Sequence, residues 1–191
     1  MKKEEIIEIF KDSGAMLEGH FLLSSGRHSD RYLQCALVLQ DPAVAEKLCR
    51  ILAAQIPGKK PDIVIGPALG GVTLAYEIAR QLNSIGIFAE REKGVMTLRR
   101  GFQIPQGARV LVAEDVVTTG GSVREVIEVV KKLGGEVIGV ASLVDRTNGQ
   151  IDFGYPFYSL LSLEVVSYDA DDCPLCQTGK PAVKPGSRQV K

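Results

Sequence analysis

The sequence predicts an α/β domain with a parallel central sheet and helices on both faces. Between residues 62 and 146, short runs that are apolar throughout alternate with longer amphipathic stretches. Strands without a polar side belong in a sheet that helices cover on both faces. The length of 191 residues, with 45% apolar and 24% charged residues, suits one compact domain.

The elements follow in chain order from apolar periodicity and turn residues. An amphipathic helix ends at Gly14, and a strand–turn–strand unit follows over residues 19–34. The next helix begins at Pro42, where the missing N–H costs nothing, and a turn over residues 57–61 stops it. The alternating region comprises strand 62–66, helix 70–83, strand 85–92, a hairpin or mobile loop at 96–102, strand 108–115, helix 121–134 and strand 136–146. A last apolar strand over 157–165 precedes a tail rich in Pro, Gly and Lys.

The net charge and hydropathy of the chain limit where the protein is expected to reside and what it is expected to bind. The net charge is zero, so the whole chain does not attract nucleic acid or an anionic membrane. No apolar run approaches the roughly 20 residues that cross a bilayer, and the N-terminus does not resemble a signal peptide. We therefore expect a cytoplasmic protein without nucleic-acid or membrane partners. Four cysteines are too few for a disulfide scaffold.

The stretch VLVAEDVVTTGGSV, residues 110–123, carries the clearest chemical signal. An apolar strand ends in Glu114 and Asp115, at the sheet edge where ligands of parallel α/β proteins bind. Adjacent carboxylates suit vicinal hydroxyls such as those of ribose. The hydroxyls and glycines that follow, at a helix N-terminus, suit a phosphate. The stretch thus predicts a ribose-5-phosphate site, and it matches neither the P-loop nor the dinucleotide fingerprint.

This stretch resembles the phosphoribosyl pyrophosphate (PRPP) motif of the type I phosphoribosyltransferases. The resemblance implies that family's fold, with a core of about residues 42–147, a small hood from residues 1–41 and 148–170 that includes the C-terminal strand, and a cysteine-containing tail at 171–191. It assigns PRPP binding to Glu114, Asp115, Val116, Val117, Thr118, Thr119, Gly120, Gly121, Ser122 and Arg91. The GPALGG turn looks like the family's pyrophosphate loop, formed by Ala68, Leu69, Gly70 and Gly71.

Two further segments resemble the orotate phosphoribosyltransferases. FLLSSGRHSDRYLQ is similar to their hood segment, with Ser25, Gly26 and Arg27 at its turn, and Arg146 matches the arginine that binds orotate. A guanidinium grips a planar carboxylate in bidentate fashion, and Thr118 matches the threonine that touches both substrates. The resemblance implies transfer of ribose 5-phosphate from PRPP to orotate N1, giving orotidine 5′-monophosphate and pyrophosphate in pyrimidine biosynthesis. Mg²⁺ is expected to arrive bound to PRPP.

The sequence departs from the family in two places. Ser24 stands where better-known members carry a lysine, and the segment AEREKGVMTLRRGF lacks the histidine of their mobile lid. Its basic residues, Arg91, Lys93, Arg99 and Arg100, are the lid candidates. The family's lid reaches the neighbouring active site, so a homodimer is implied.

Two rival functions and the cysteine pair stay open from sequence alone. A phosphoribosyltransferase for a purine or another base predicts an aromatic stacker after the last core strand, in place of the Arg146 grip. A PRPP-sensing regulator without catalysis would need a basic nucleic-acid face, which the zero net charge disfavours. Cys173 and Cys176 supply two of the four ligands of a zinc site; a packed turn of thiols and a redox pair are the alternatives.

Overall fold

The computed structural model describes residues 1–23, 25–58 and 60–185. Its helices are α1 (Lys3–Asp12), α2 (Ala36–Leu39), α3 (Pro42–Ala54), α4 (Gly70–Leu82) and α5 (Gly121–Lys132). Its strands are β1 (Met16–Leu22), β2 (His28–Leu33), β3 (Ile63–Pro67), β4 (Ile85–Glu92), β5 (Val95–Leu98), β6 (Arg109–Val117), β7 (Glu136–Asp145), β8 (Phe157–Ser162) and β9 (Ser167–Tyr168).

A six-stranded sheet in the order β5-β4-β3-β6-β7-β8 forms the centre. Every neighbouring pair in it is parallel except β4 and β5, which form an antiparallel hairpin. The hairpin alternative predicted for residues 96–102 is therefore correct. Its turn is made by Lys93 and Gly94, both with positive φ. This architecture confirms the predicted α/β class.

Both faces of this sheet are buried, as the uniformly apolar strands predict. Along β3, Val64 packs into the cluster that contains residues of α1, α3 and α4, whereas Ile63 and Ile65 pack into the cluster that contains α5. Leu111 and Val110 on β6 divide between the faces in the same way. Because successive side chains along a strand point to opposite faces, the same strands contribute to two hydrophobic cores. Burying each large apolar side chain stabilises the fold by about 1.5–3 kcal/mol.

A second, antiparallel sheet in the order β1-β2-β9 lies beside the central one. The structure divides the segment 148–170, which the sequence assigns to the hood. β8 joins the central sheet, with Leu161 opposite Val144 of β7, and only the two-residue β9 joins the small sheet. β8 belongs to the centre because Leu160 and Leu161 are buried in its core.

Three smaller points complete the description. The sequence did not predict α2, because four residues are too few to show a helical period. No helix in the described ranges is long and apolar enough to span a membrane. Ser24 and the end of the predicted tail, residues 186–191, lie outside the described residues.

Candidate functional site

The carboxyl ends of β3, β6 and β7 meet at one edge of the central sheet. From β3 the chain passes through α4 to β4 on one side, and it later returns as β6 on the other side. The junction of β3 and β6 is therefore the point where the strand order reverses, and loops there diverge to leave a crevice. The three loops that carry most of the predicted site residues all begin at this edge.

The loop after β3 packs directly against the acidic pair at the end of β6. A Cβ built on Gly70 would lie 2.6 Å from both carboxylate oxygens of Asp115. A Cβ on Gly71 would lie 2.8 Å from the Pro67 ring and 3.0 Å from the Ala113 carbonyl oxygen. Both glycines are thus needed for the close approach, and the predicted pyrophosphate loop (residues 68–71) lies next to the predicted ribose-binding acids.

Glu114 and Asp115 are partly buried side by side. The Asp115 backbone N–H donates to Glu114 Oε1 at 3.2 Å, and Asp115 Oδ1 accepts from the Val116 N–H at 2.8 Å. Burial, followed by the nearby charge of Asp115, raises the pKa of Glu114 well above its ordinary value. The pair therefore resists holding two negative charges until donors or a cation approach it.

The loop after β6 encloses a small concave site at the N-terminus of α5. It has a volume of about 60 Å³ and is lined by Glu114, Val116, Val117, Thr118, Thr119, Gly120, Gly121, Ser122 and Val123. Gly120 has φ 73°, and a Cβ there would lie 2.8 Å from a ring carbon of Phe153. The glycine lets the chain turn tightly, and the helix end adds N–H donors and a positive dipole end. This is the chemistry that an anionic phosphate needs.

A larger cavity of about 650 Å³ opens beside this loop and shares Thr118 and Thr119 with it. Its lining comes from the small sheet, the β6 loop, the end of β7 and the tail: Leu22, Leu23, Ser25, Arg31, Tyr32, Leu33, Gln34, Thr118, Thr119, Arg146, Ser167, Lys184 and Pro185. A ligand in this cavity would therefore contact both sheets.

Arg146 enters this cavity with part of its guanidinium unsatisfied. Its Nε is buried and has no hydrogen-bond partner among the described residues, and burial lowers its pKa. Asp145, which is buried just before it, accepts from the Thr147 N–H at 2.7 Å and from the Gly149 N–H at 2.8 Å, with further bonds from the hydroxyls of Thr147 and Ser162. Asp145 thus fixes the turn that presents Arg146, a role the sequence did not indicate.

Lys184 is a second cation at the cavity that sequence reasoning missed. Its Nζ is buried and unpaired within the described part of the chain. It reaches the cavity because Val183 pairs with β1, where its carbonyl accepts from the Leu22 N–H at 2.9 Å. Nothing local in the tail signals this pairing. Arg31, Tyr32 and Gln34 lie within the predicted hood segment FLLSSGRHSDRYLQ, but the sequence did not single them out as site residues.

Of the three predicted hood residues, two lie apart from the cavities and one lines the larger cavity. Arg27 ties the small sheet together, since Nε donates to the Ser167 hydroxyl at 3.0 Å and Nη2 to its carbonyl at 2.7 Å. Gly26 is in the turn before β2 with φ 81°, while Ser25 lines the larger cavity.

The basic lid candidates are engaged with carboxylates of the same chain. Arg91 contacts Glu125 of α5 at 2.9 Å, Arg99 contacts Glu92 at 3.2 Å, and Arg100 donates twice to Glu90. Lys93 occupies the β4–β5 turn. The structure therefore does not bring these four residues to the cavities of their own chain, although the hairpin projects from the carboxyl edge of the sheet.

Comparison with known proteins gives consistent matches. A family model described as a phosphoribosyl transferase domain matches residues 38–172. The orotate phosphoribosyltransferase of Caldicellulosiruptor saccharolyticus is 60% identical over 191 residues, and that of Pelotomaculum thermopropionicum 61% over 190, each covering both chains in full. A crystal structure of orotate phosphoribosyltransferase from Aeropyrum pernix superposes with a TM-score of 0.67 at 30% identity, covering 83% of this chain and 94% of that one. These matches confirm the fold class predicted from the sequence.

Proposed function

Because this chain belongs to the orotate phosphoribosyltransferase family, we propose that the two connected cavities are its active site. There the ribose 5-phosphate of PRPP is transferred to N1 of orotate, giving orotidine 5′-monophosphate and pyrophosphate for UMP synthesis. The smaller cavity holds the 5-phosphate, and the larger one holds the orotate ring beneath the β1-β2-β9 sheet. Thr118 and Thr119 line both cavities and so stand between the two substrates.

The buried Nε of Arg146, which has no hydrogen-bond partner among the described residues, supports orotate as the acceptor. Burying a charged donor without a partner is costly, so such a group points to a ligand that completes it. Orotate carries a carboxylate on a flat ring, which suits a planar bidentate donor. Arg31 and Lys184 also line this cavity and add positive charge to it. A neutral purine offers no anionic group to these cations.

The aromatic residues after β7 also favour orotate over a purine. Phe153 is buried, and its ring packs against Phe157 with centroids 5.3 Å apart, under the Gly120 turn. It is therefore part of the core and does not stack on a base. The rival prediction of an aromatic stacker in place of Arg146 finds no support in Phe153.

PRPP is proposed to lie along the sheet edge from the α5 N-terminus to the β3 loop. Glu114 and Asp115 accept hydrogen bonds from the ribose 2- and 3-hydroxyls, and backbone N–H groups of residues 118–122 donate to the 5-phosphate. The glycine-rich loop at Gly70 and Gly71 lies beside Asp115, and its backbone is proposed to bind pyrophosphate. This order of subsites matches the order of groups along PRPP.

Catalysis then consists of positioning and electrostatic stabilisation. Orotate is already an anion, so its N1 attacks C1 of the ribose without a strong general base. Positive charge develops on the ribose ring, next to Glu114 and Asp115, while negative charge grows on pyrophosphate at the N-terminus of α4. The two carboxylates at this edge are ligands that Mg²⁺ accepts, which fits an ion held mainly by the substrate's phosphates. When bound, Mg²⁺ neutralises charge on the leaving pyrophosphate.

The lid is proposed to act across a homodimer. The β4–β5 hairpin carries Arg91, Lys93, Arg99 and Arg100 beyond the sheet edge, and its arginines are matched by carboxylates of their own chain. Such exposed ion pairs are worth little and exchange readily for a pyrophosphate with higher charge. In a dimer this hairpin would reach the partner's active site and exclude water, which otherwise hydrolyses PRPP.

The test follows the ultraviolet absorbance of orotate with purified protein, PRPP and Mg²⁺, comparing wild type with Arg146→Ala. Loss of two charge-assisted hydrogen bonds, at about 1.5–3 kcal/mol each, predicts a fall in kcat/KM of roughly 100-fold or more. The matched control is Arg50→Ala, which removes an exposed arginine of α3 and should leave kcat/KM unchanged.

Three results would contradict the proposal. Wild-type protein that binds PRPP but leaves orotate unchanged, and instead consumes a purine base, would favour the rival transferase. PRPP binding by calorimetry with no base consumed would favour the sensing regulator. Unchanged orotate turnover in Arg146→Ala would remove the assigned role of Arg146.

A further inference from the structure

Outside the active site, four metal-binding side chains converge at the junction of the small sheet and the tail. They are His20, His28, Cys173 and Cys176, and their ligand atoms all lie within 4.8 Å of one another. Both thiols are free, so no disulfide accounts for their approach. The sequence separates the histidines from the cysteines by about 150 residues, and for that reason the cysteines alone gave only half of a site.

The fold brings the four together from three segments. His20 is on β1. His28 begins β2, where it lies opposite Leu22 of β1. Cys173 and Cys176 flank a turn in which the Cys176 N–H donates to the Cys173 carbonyl at 3.1 Å. The turn lies between short 3-10 helices, Ala170–Asp172 and Cys176–Thr178. A Cys-x-x-Cys turn thus faces a two-histidine hairpin.

Three of the distances between ligand atoms match those of a tetrahedral shell. Tetrahedral bonds of about 2.0–2.3 Å to nitrogen and sulfur place the ligand atoms roughly 3.3–3.8 Å apart. Here His20 Nε2 is 3.7 Å from Cys173 Sγ and 3.8 Å from Cys176 Sγ, and His28 Nδ1 is 3.3 Å from Cys176 Sγ. The two histidine nitrogens are 2.9 Å apart, so they need to separate by only a few tenths of an ångström.

The groups around the four ligands also suit a bound metal. His20 Nδ1 lies 2.7 Å from the Lys180 carbonyl oxygen, and an Nδ1–H donated to that oxygen leaves the Nε2 lone pair facing the cluster. Metal-bound histidines are commonly oriented by such a bond. Cys173 and His20 are only 2% and 7% exposed, so the site is shielded from water on one side.

We propose that these four residues bind one Zn²⁺ ion in a structural Cys₂His₂ site. Two thiolates and two imidazoles with no fifth ligand are typical of closed, structural zinc centres. The soft sulfur ligands disfavour Mg²⁺ and Ca²⁺, which prefer oxygen. The proposed site does not depend on the transferase reaction.

The position of the site indicates what the ion would do. Seven residues after Cys176, Val183 pairs with β1: its N–H donates to the His20 carbonyl at 2.8 Å, and its carbonyl accepts from Leu22. Lys184 then enters the larger cavity. The zinc site therefore fastens the tail to the small sheet just before the residue that reaches the active site. Loss of the ion should loosen both the tail and Lys184.

The experiment measures metal in full-length protein produced with zinc supplied. Wild type should carry about one Zn²⁺ per chain by elemental analysis, and Cys176→Ser and Cys173→Ser should carry little or none. The matched control is Cys49→Ala, a cysteine buried in the central core, which should keep its zinc. Replacing zinc by Co²⁺ should give the visible absorption of tetrahedral cobalt with thiolate ligands.

A second measurement keeps the test informative if a variant misfolds. Stripping wild-type protein with a chelator should lower its Tm by about 5 °C or more, and adding Zn²⁺ should restore it. The KM for orotate should rise in the stripped protein, while metal content is read independently of activity. Wild type without zinc or a cobalt spectrum, a Cys173–Cys176 disulfide in the isolated protein, or unchanged zinc in both serine variants would overturn the proposal.

Discussion

Replacing Glu114 with Gln is expected to stabilise the free protein while abolishing transfer. Glu114 is partly buried beside Asp115, and both burial and that neighbouring charge raise its pKa. An unfolded chain has no such penalty, because the carboxyl is then in water. Near neutral pH the folded protein must therefore either keep a proton on Glu114 or bury its charge, and both cost stability. Glutamine keeps the shape of the side chain without that cost.

The size of this stabilisation follows from the pH interval over which the folded and unfolded states differ in the protonation of Glu114. At pH 7 the unfolded side chain, with an ordinary value of 4.5, is fully ionised. The interval from 4.5 to 7 corresponds to about 3.4 kcal/mol at most, at about 1.36 kcal/mol per pH unit. Solvent at the sheet edge reduces this, so we expect about 1–2 kcal/mol and a rise in Tm of roughly 2–8 °C for a chain of this length.

The pH dependence of stability tests independently whether the substitution stabilises or destabilises the protein. Because the folded state binds the Glu114 proton more tightly, the stability that this group contributes is present below about pH 4.5 and is lost as pH rises towards the raised folded pKa. The advantage of Glu114→Gln over wild type should therefore be small at pH 5 and larger at pH 8.

Thermal melts at pH 5, 7 and 8 measure this difference, and calorimetry with PRPP measures the lost binding. Glu128→Gln is the matched control, since Glu128 is an exposed residue of α5 paired with Lys131, and it should show neither effect. A Glu114→Gln protein that is less stable than wild type at pH 8, or an advantage that shrinks as pH rises, would refute the reasoning.

Two further substitutions test how the site is held. Gly70→Ala places a methyl group against the Asp115 carboxylate and should weaken PRPP binding by about tenfold or more. Calorimetry measures this against the exposed Thr73→Ala on the same helix, and equal affinities would disprove it. In Asp145→Asn one carboxylate oxygen becomes an NH₂ group, which cannot accept hydrogen bonds such as the one from the Gly149 N–H. The substitution should therefore lower the free energy of unfolding by about 1–3 kcal/mol and raise the KM for orotate. Asp152→Asn, which alters an exposed turn of the same kind, should do neither, and an unchanged KM in Asp145→Asn would show that the turn does not position Arg146.

The central sheet was predictable because its signals are local. The runs that became β3 and β6 are apolar on both sides, α4 and α5 begin at glycine, and α3 begins at Pro42. The edges were less predictable. β8 was assigned to the hood because nothing in FYSLLS says whether its neighbour is β7 or β2; its pairing with β7 depends on a contact between separate segments.

The same distinction applies to the site. Residues 114–122 lie together because they span one strand end and one helix start, so a contiguous motif predicted them as one site. The position of Lys184, and the approach of the two histidines to the cysteines, depend on where the tail meets β1. Such long-range contacts leave no periodic trace in the chain. Asp145 escaped for another reason: an acid before a turn is common, and only its buried bonds show its task.

The distribution of paired and unpaired charges separates functional residues from structural ones. Among the described residues away from the cavities, several charges are paired within the chain: Arg80 with Glu77, and Arg109 with Asp62, whose pKa falls to about 2 beside that guanidinium. At the proposed active site the fold instead leaves Arg146 short of acceptors and sets two acids together. A protein selected for stability alone would not keep both arrangements. The unpartnered arginine and the adjacent acids both become favourable when an anionic base and a hydroxyl-bearing sugar phosphate bind together. The substrates then supply the hydrogen-bond partners that the protein itself lacks at these groups.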